Sequence, residues 1–513
     1  MKKILSLLFH RVTIIGIAIG AQAATLILMI GRFGRYFPLF YAFSTVLSAV
    51  VVLIIAGGND KSAYKISWII PIILFPIFGG LFYLVLGNRR VNPRMRHKMA
   101  QIKLHGETSM ASSEPIVQRL AALDKHAANQ ARYIQNHGAF PIYKHTYSHF
   151  YPLGELAFEA MLRELEKAEE YIFLEYFIIE PGIMWNSILD ILVQKVKEGV
   201  DVRLIYDDLG CAFKLPHNYS NKLQKLGIKT ARFHPLQPIL SARLNNRDHR
   251  KILVIDGHTG FTGGINLADE YINAFEKYGH WKDSAFMIKG EAAWSLVVMF
   301  LTMWEYLRGT AEDLESFRPA GFPPTPAGDA TGYIQPFGDN PLDGEAVGET
   351  VYLNLISRAK DHVYINTPYL ILDNEMIMAL ANAAKAGVDV RIVTPHIPDK
   401  ALVHTVTRSY YPVLLQSGVR IYEYTPGFMH SKTFVADDEV AVVGTINLDY
   451  RSLYLHFENG VWLYKTPSVM QIKDDFLETL HLCQEVELSS LYTNLPALRR
   501  LKWAALRLLA PLL

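Results

Sequence analysis

Hydrophobic and polar positions alternate in different ways along this chain. Residues 1–88 contain three uncharged apolar stretches, 12–31, 36–58 and 66–88. Each has about 20 residues or more, enough for a helix to cross a hydrocarbon core of roughly 30 Å. Lipid offers no partner to a bare backbone group, so three transmembrane helices are predicted. Further along, short apolar runs at 171–179, 202–206, 363–366 and 390–394 predict strands, and amphipathic segments at 185–198 and 374–386 predict helices. Strand, helix, strand order implies parallel pairing with helices covering the sheet. The C-terminal segment 491–513 mixes Arg499, Arg500, Lys502 and Arg507 with Leu498, Leu501, Trp503, Leu506, Leu508 and Leu509. It reads as a basic amphipathic helix, either lying on a bilayer or docked on the protein's own body.

Charge sharpens this division. Of 51 basic and 49 acidic residues among 513, the first 87 positions hold only Lys2, Lys3, Arg11, Arg32, Arg35, Asp60, Lys61 and Lys65. Beyond them about 22% of residues are charged, close to the soluble average of about 25%. A membrane head on a globular body is predicted, and a fully soluble, disordered or disulfide-stapled protein is excluded. The first stretch has a second reading as a secretory signal, with Ala21-Gln22-Ala23 as the cleavage site. Arg89, Arg90, Arg94, Arg96 and Lys98 follow the third stretch and place the body on the cytoplasmic side. With three spans, Lys61 and Lys65 then fall on the opposite side. The same basic cluster suits anionic headgroups or a plain stop-transfer flank. The two cysteines, Cys211 and Cys483, form no metal-ligand cluster. A net charge of +2 gives no sign of a nucleic-acid binder.

The body is duplicated. Gly199-Val-Asp-Val-Arg-Leu204 recurs as Gly387-Val-Asp-Val-Arg-Ile392, and Gly263-Gly-Ile-Asn-Leu267 as Gly444-Thr-Ile-Asn-Leu448. The divisions read from the sequence are a membrane region at 1–88, a basic and polar connector at 89–139, a first lobe at 140–315, a Pro/Gly-rich linker at 316–332, a second lobe at 333–490 and the C-terminal helix at 491–513.

Each lobe carries the same chemical spacing. His249, Lys251 and Asp256 are followed by Gly263, Gly264 and Asn266; His430, Lys432 and Asp437 are followed by Gly444 and Asn447. One such His/Lys/Asp match is expected by chance about 0.04 times, so two are not coincidence. Residues two apart on a strand share a face, which projects each His with its Lys. Ammonium and amide groups can stabilise charge on a phosphoryl group. One imidazole can attack phosphorus, and a second can protonate the leaving oxygen. Each copy supplies one imidazole, so the reaction needs both lobes facing each other. Asp256 and Asp437 fall where strands turn and read as scaffold for the catalytic sets. Asn266, Asn447, Gly264 and Gly444 are the candidate phosphate-binding positions.

These residues resemble the HKD motifs of the phospholipase D superfamily across most of residues 140–490. Glu175-Tyr-Phe, Tyr206-Asp-Asp-Leu-Gly210, Thr367-Pro-Tyr-Leu370 and His456-Phe-Glu458 are similar, more narrowly, to the bacterial cardiolipin synthases. The resemblance implies an α/β fold of two pseudo-symmetric lobes, each a mixed sheet flanked by helices, preceded by transmembrane helices in the bacterial cytoplasmic membrane. It implies phosphatidylglycerol as substrate and cardiolipin as product, a phosphohistidine intermediate, and no cofactor or metal. It casts His249 as the attacking group and His430 as acid and base. By motif position it casts Asp283 as the carboxylate orienting His249 and Glu458 as that orienting His430. Glu175, Arg451 and Ser452 are further candidates to line the site. Three apolar stretches exceed the two expected of many members, and Gly264 stands where serine is common. A lipid hydrolase, a nuclease on the same fold and a non-catalytic scaffold are the rival functions. Resistance to chelators is expected, since no Cys/His/carboxylate ligand set is visible in the sequence.

Overall fold

The computed structural model describes residues 37–75, 79–83, 93–110, 113–235, 246–322, 330–489 and 497–512, with Ala24, Ile27 and Leu28. Most of the first apolar stretch, the candidate cleavage site and residues 323–329 of the Pro-rich linker lie outside these residues.

Two mixed sheets form the body. One runs, in spatial order, Tyr147–Tyr151, Ala285–Lys289, Thr259–Gly263, Ile252–Ile255, Tyr171–Tyr176, Asp201–Asp207 and Lys229–Phe233. The other runs Tyr143–Lys144, Tyr333–Asp339, Glu458–Tyr464, Val440–Gly444, Thr433–Ala436, His362–Asn366, Asp389–Pro395, Arg420–Tyr424 and Cys483–Glu485. The two orders superimpose strand for strand from Ala285–Lys289 and Glu458–Tyr464 onward, and in each sheet the last three of these shared strands are parallel. Parallel strands covered on both faces need apolar side chains throughout, and Tyr171–Tyr176 is buried at every position. Residues 143–144, expected in the first lobe, pair instead with Tyr333–Asp339 of the second sheet.

The repeated GVDVR segments follow helices Ile183–Lys197 and Asn374–Lys385. Gly199 and Gly387 end those turns at φ of 98° and 99°, a left-handed conformation that stops a helix cheaply only with glycine. Helix Ala293–Arg308, buried along most of its length, and helix Pro467–Leu480 each follow the closing strand of their own lobe. Together they fill the space between the sheets, in a core shared by Phe173, Val254 and Phe300 with Val435, Val443 and Val461.

The head departs from three simple spans. Stretch 36–58 forms helix Phe37–Gly57, whose described side chains, Leu39 apart, run from Tyr41 to Gly57. Among the described residues no helix is long and apolar enough to cross a membrane. Stretch 66–88 is broken: helix Ser62–Leu74 ends at Phe75, with φ −129° and ψ 68°. Phe75 precedes Pro76, and a residue before proline is driven out of the helical region. A short helix, Gly79–Phe82, then folds back. A Cβ on Gly80 would lie 2.6 Å from Ser48 Oγ, so close packing of small residues holds this hairpin.

The hairpin tip docks on the second lobe. Lys61 Nζ lies 2.8 Å from Glu349, 3.0 Å from Asp373 and 3.6 Å from Glu375. This departs from the expectation that Lys61 lies away from the body: three carboxylates on the body hold its charge. The C-terminal helix, Ala497–Leu509, also docks on the body, so of its two expected settings the docked one is found. Trp503 and Leu506 pack against the second-lobe core, Arg507 lies 4.6 Å from the Tyr410 ring, and Ser67 Oγ donates to Leu508 O at 2.5 Å.

Candidate active site

Each histidine is held by the lobe it does not belong to. The segment before strand Ile252–Ile255 bridges Phe457 of the second lobe. His249 N donates to Phe457 O at 2.9 Å, and Phe457 N to Arg247 O at 2.8 Å. The next residue, Glu458, brings both carboxylate oxygens to 2.9 Å from His249 Nδ1. The second copy mirrors this. Strand Gly427–Met429 runs parallel to His280–Lys282 of the first lobe, and His430 N donates to Lys282 O at 2.7 Å. Asp283 Oδ2 then lies 2.6 Å from His430 Nδ1. The pairing expected from motif position is therefore exchanged: Glu458 serves His249, and Asp283 serves His430. The reason is the pseudo-two-fold arrangement, which turns each lobe's carboxylate toward its neighbour's imidazole.

The two motifs share one electrostatic field. Burial pushes the His249 imidazole well below its usual range, and Lys251, Lys432 and His430 add to that push. Burial acts on His430 likewise, reinforced by Lys432 and Lys251. Lys251 Nζ donates to His249 O at 2.6 Å, and burial pushes its ammonium down to about 7. Lys432 Nζ donates to His430 O and lies 2.9 Å from His430 Nδ1, and burial pushes it down to about 8. Burial raises the Asp283 carboxyl to about 6. The pocket is thus cationic and desolvated, with two neutral imidazoles poised to gain charge. Such a site can accept an anionic group and stabilise negative charge developing on it.

The remaining candidates divide into bracing and lining groups. Asp256 accepts from the backbone N–H groups of Glu169, Glu170 and Tyr171, each at 2.8 Å. Asp437 does the same for Lys360, Asp361 and His362. Both tie the far end of the motif strand to the start of its neighbour, the bracing place expected of them. Asn266 is engaged on both arms, accepting from Ile178 N and donating to Tyr271 Oη. Asn447 is buried, and its Oδ1 makes no hydrogen bond among the described residues. A Cβ on Gly264 would lie 2.0 Å from Asp283 Oδ1, so the absence of a side chain there makes room for the orienting carboxylate. Its counterpart, Thr445, donates its hydroxyl to Glu458 instead. Gly444 lets the strand approach Asn459 O, where a Cβ would stand at 2.4 Å. Glu175 is fully buried and paired with Arg250 at 2.6 Å, which anchors the chain beside His249. Asp449 caps the turn that carries Arg451 and Ser452.

Several groups at the site were not singled out in the sequence. The ring of His456 lies 5.7 Å from that of His249, with Nδ1 3.7 Å from Glu458 Oε1. Phe177 stands 5.2 Å from His249; Trp281, Tyr271 and Phe428 lie 5.3–5.7 Å from His430. Lys400, an exposed residue, adds its charge to both imidazoles. His456 stands in a segment quoted for its likeness, and its role needed only the recognition that Glu458 faces His249. The aromatic wall had no signal, because its members come from four separate segments of the chain. Ligand sets absent from the sequence reading also emerge: His249, His456 and Glu458 place donor atoms within 4.8 Å of one another, as do Glu349, Asp373 and Glu375.

Comparison with known proteins places these features. Residues 161–295 and 352–480 match the family model described as cardiolipin synthase, PLD-like domain, and residues 45–88 match that of the phospholipase D-nuclease N-terminal region. The chain is 35% identical over 470 residues to cardiolipin synthase 2 of Bacillus anthracis, covering 91% of this chain and 90% of that one. It is 35% identical to the cardiolipin synthase of Alkalihalophilus pseudofirmus, covering 91% and 92%. An uncharacterized protein of Streptococcus mutans is 46% identical over 466 residues, covering 90% and 99%. Among solved structures, phosphatidylserine synthase of Haemophilus influenzae shares the fold, with a TM-score of 0.57 at 16% identity over 75% of this chain and 100% of that one.

Proposed function

We propose, from the premise that this chain belongs to the cardiolipin synthase family of phospholipase D-like proteins, that it transfers a phosphatidyl group from one phosphatidylglycerol to another. Cardiolipin and glycerol are the products. The observation carrying this reading is the crossed pair of buried imidazoles, each hydrogen bonded to a carboxylate of the opposite lobe.

The chemistry follows from that arrangement. Glu458 keeps the proton of His249 on Nδ1, which leaves the Nε2 lone pair for attack on phosphorus. As the P–N bond forms, His249 becomes cationic and its bond to Glu458 strengthens. His430 delivers a proton to the departing glycerol oxygen, then takes one from the incoming hydroxyl. Lys251 and Lys432 stabilise charge on the phosphoryl oxygens. The acceptor hydroxyl attacks the phosphohistidine, breaking the P–N bond and restoring His249. Burial and the neighbouring lysines hold the His430 imidazole neutral; the anionic substrate favours its cationic form. Aromatic walls at both rings limit water at the reacting phosphorus. Residues 1–88 hold the body at the bilayer, where lipid hydroxyls are concentrated.

The test is to supply pure phosphatidylglycerol in vesicles and identify the products. Cardiolipin with glycerol supports transfer. Phosphatidic acid as the sole lipid product overturns it in favour of hydrolysis.

A further inference from the structure

The geometry points to a zinc-binding site formed by His249, His456 and Glu458, at which the metal silences the enzyme. His249 Nδ1 stands 2.9 Å from both Glu458 oxygens, and His456 Nδ1 stands 3.7 Å from one of them. Tetrahedral zinc, with bonds of about 2.0–2.1 Å, sets its donors about 3.3 Å apart. The two spacings to Glu458 bracket that value, and all three donors lie within 4.8 Å of one another, so a metal is held once the two imidazoles draw in around it. His456 is the second observation. Both its ring nitrogens are buried, and among the described residues neither makes a hydrogen bond. A buried imidazole without a hydrogen-bond partner costs free energy, and a metal ion would satisfy it. Two imidazoles and one carboxylate are a ligand set zinc favours, and three protein ligands leave a fourth position open. Magnesium, which prefers oxygen ligands and octahedral geometry, does not suit it. The other carboxylate cluster, Glu349, Asp373 and Glu375, already holds the ammonium of Lys61.

The consequence follows from where the proton sits. A neutral His249 carries one ring proton, held on Nδ1 by Glu458. A Zn–Nδ1 bond displaces that proton, through solvent, onto Nε2. Nε2 then has no lone pair for phosphorus, and Glu458 no longer orients the ring. Lys251 and Lys432 oppose a second cation nearby, which keeps the site reversible rather than permanently filled. This silencing rests on the reading of His249 as the attacking group; the site itself rests on the three side chains.

The experiment uses the full chain in lipid vesicles or detergent, with free zinc set by a metal buffer and two separate readouts. Competition with a chromophoric chelator measures zinc binding, and release of glycerol from phosphatidylglycerol measures activity. One zinc per chain, inhibition reversed by chelator, and no effect of magnesium are expected. His456→Ala and His456→Asn, each referred to its own metal-free rate, are expected to weaken both binding and inhibition more than about tenfold. Loss of even an outer partner of a metal ligand costs about 10–100-fold. Zinc binding unchanged in both variants, or no binding by the wild type, overturns the site. Binding that depends on His456 but leaves activity untouched overturns the silencing and traces the fault to the His249 assignment.

Discussion

Exchange of the two carboxylates makes a sharp kinetic prediction. Glu458→Gln removes the charge that holds the Nδ1 proton of His249, and Asp283→Asn does the same at His430. A hydrogen bond to a charged group contributes about 1.5–3 kcal/mol, and each 1.36 kcal/mol is a factor of ten in rate. Both variants are therefore expected to lose about 10–100-fold in transfer from phosphatidylglycerol. A donor with a good leaving group, such as the p-nitrophenyl ester of phosphatidic acid, separates them. Nitrophenolate needs no proton to depart, so the acid catalyst becomes dispensable in the first half-reaction. The burst of nitrophenolate in Glu458→Gln should remain about 10–100-fold slow, while Asp283→Asn should recover to within about threefold of wild type. Phosphohistidine trapped by detergent denaturation at neutral to alkaline pH, measured alongside the burst, confirms that attack is being followed. If Asp283→Asn stays as slow as Glu458→Gln on the activated donor, the division of roles between the two imidazoles is wrong. If Asp283→Asn alone stays slow and Glu458→Gln recovers, the roles are reversed.

Gly264→Ala puts a methyl group 2.0 Å from Asp283 Oδ1 and should abolish most transfer, while circular dichroism shows a folded body; near-normal turnover would mean Asp283 has slack the geometry denies. Lys251 and Lys432 carry charge below their depressed values of about 7 and about 8 and lose it above them. In kcat/KM measured against pH, binding of the anionic lipid should weaken through this window as pH rises, and Lys251→Arg should move that limb upward; a flat profile to pH 10 contradicts the depressed lysines. Lys61→Ala leaves Glu349 and Asp373 without their cation, with the Tyr454 hydroxyl still beside both, and should lower stability by about 1–2 kcal/mol, given the partial exposure of the lysine, seen as a lower Tm in detergent; no change would show the docking to be passive. Asn59→Cys on the hairpin tip and Phe213→Cys on the body should react with an impermeant maleimide from the same face of sealed vesicles, and labelling from opposite faces refutes the docked tip.

How much the sequence disclosed depended on whether a feature was local or relational. Strands, helices and the repeat were legible because they rest on periodicity within a few residues, as in Tyr171–Tyr176 and Ile183–Lys197. The His/Lys sets were legible because duplication repeats their spacing. Partnership across the lobes was not: Asp283 and Glu458 each follow their own lobe's histidine in the chain, and nothing in that order reveals that the lobes exchange them. His456 went unnoticed for the same reason, since its place beside His249 exists only once the second lobe is turned to face the first. The break in the 66–88 stretch did have a local signal in Pro76, but composition alone pointed to an unbroken span. The docking of Lys61 was hidden because three carboxylates far along the chain define its pocket.

The crossed holding of the two rings also bears on ancestry. Half of this molecule, cut at the linker, would own a nucleophile whose bracing acid lay on another polypeptide, so a single-lobed forerunner could have worked only as a matched pair. In such a pair both pockets obey one gene, and any change appears twice. Fusion removed that constraint. One pocket now sets glutamate beside threonine and the other aspartate beside glycine, an asymmetry that no self-pairing ancestor could have carried.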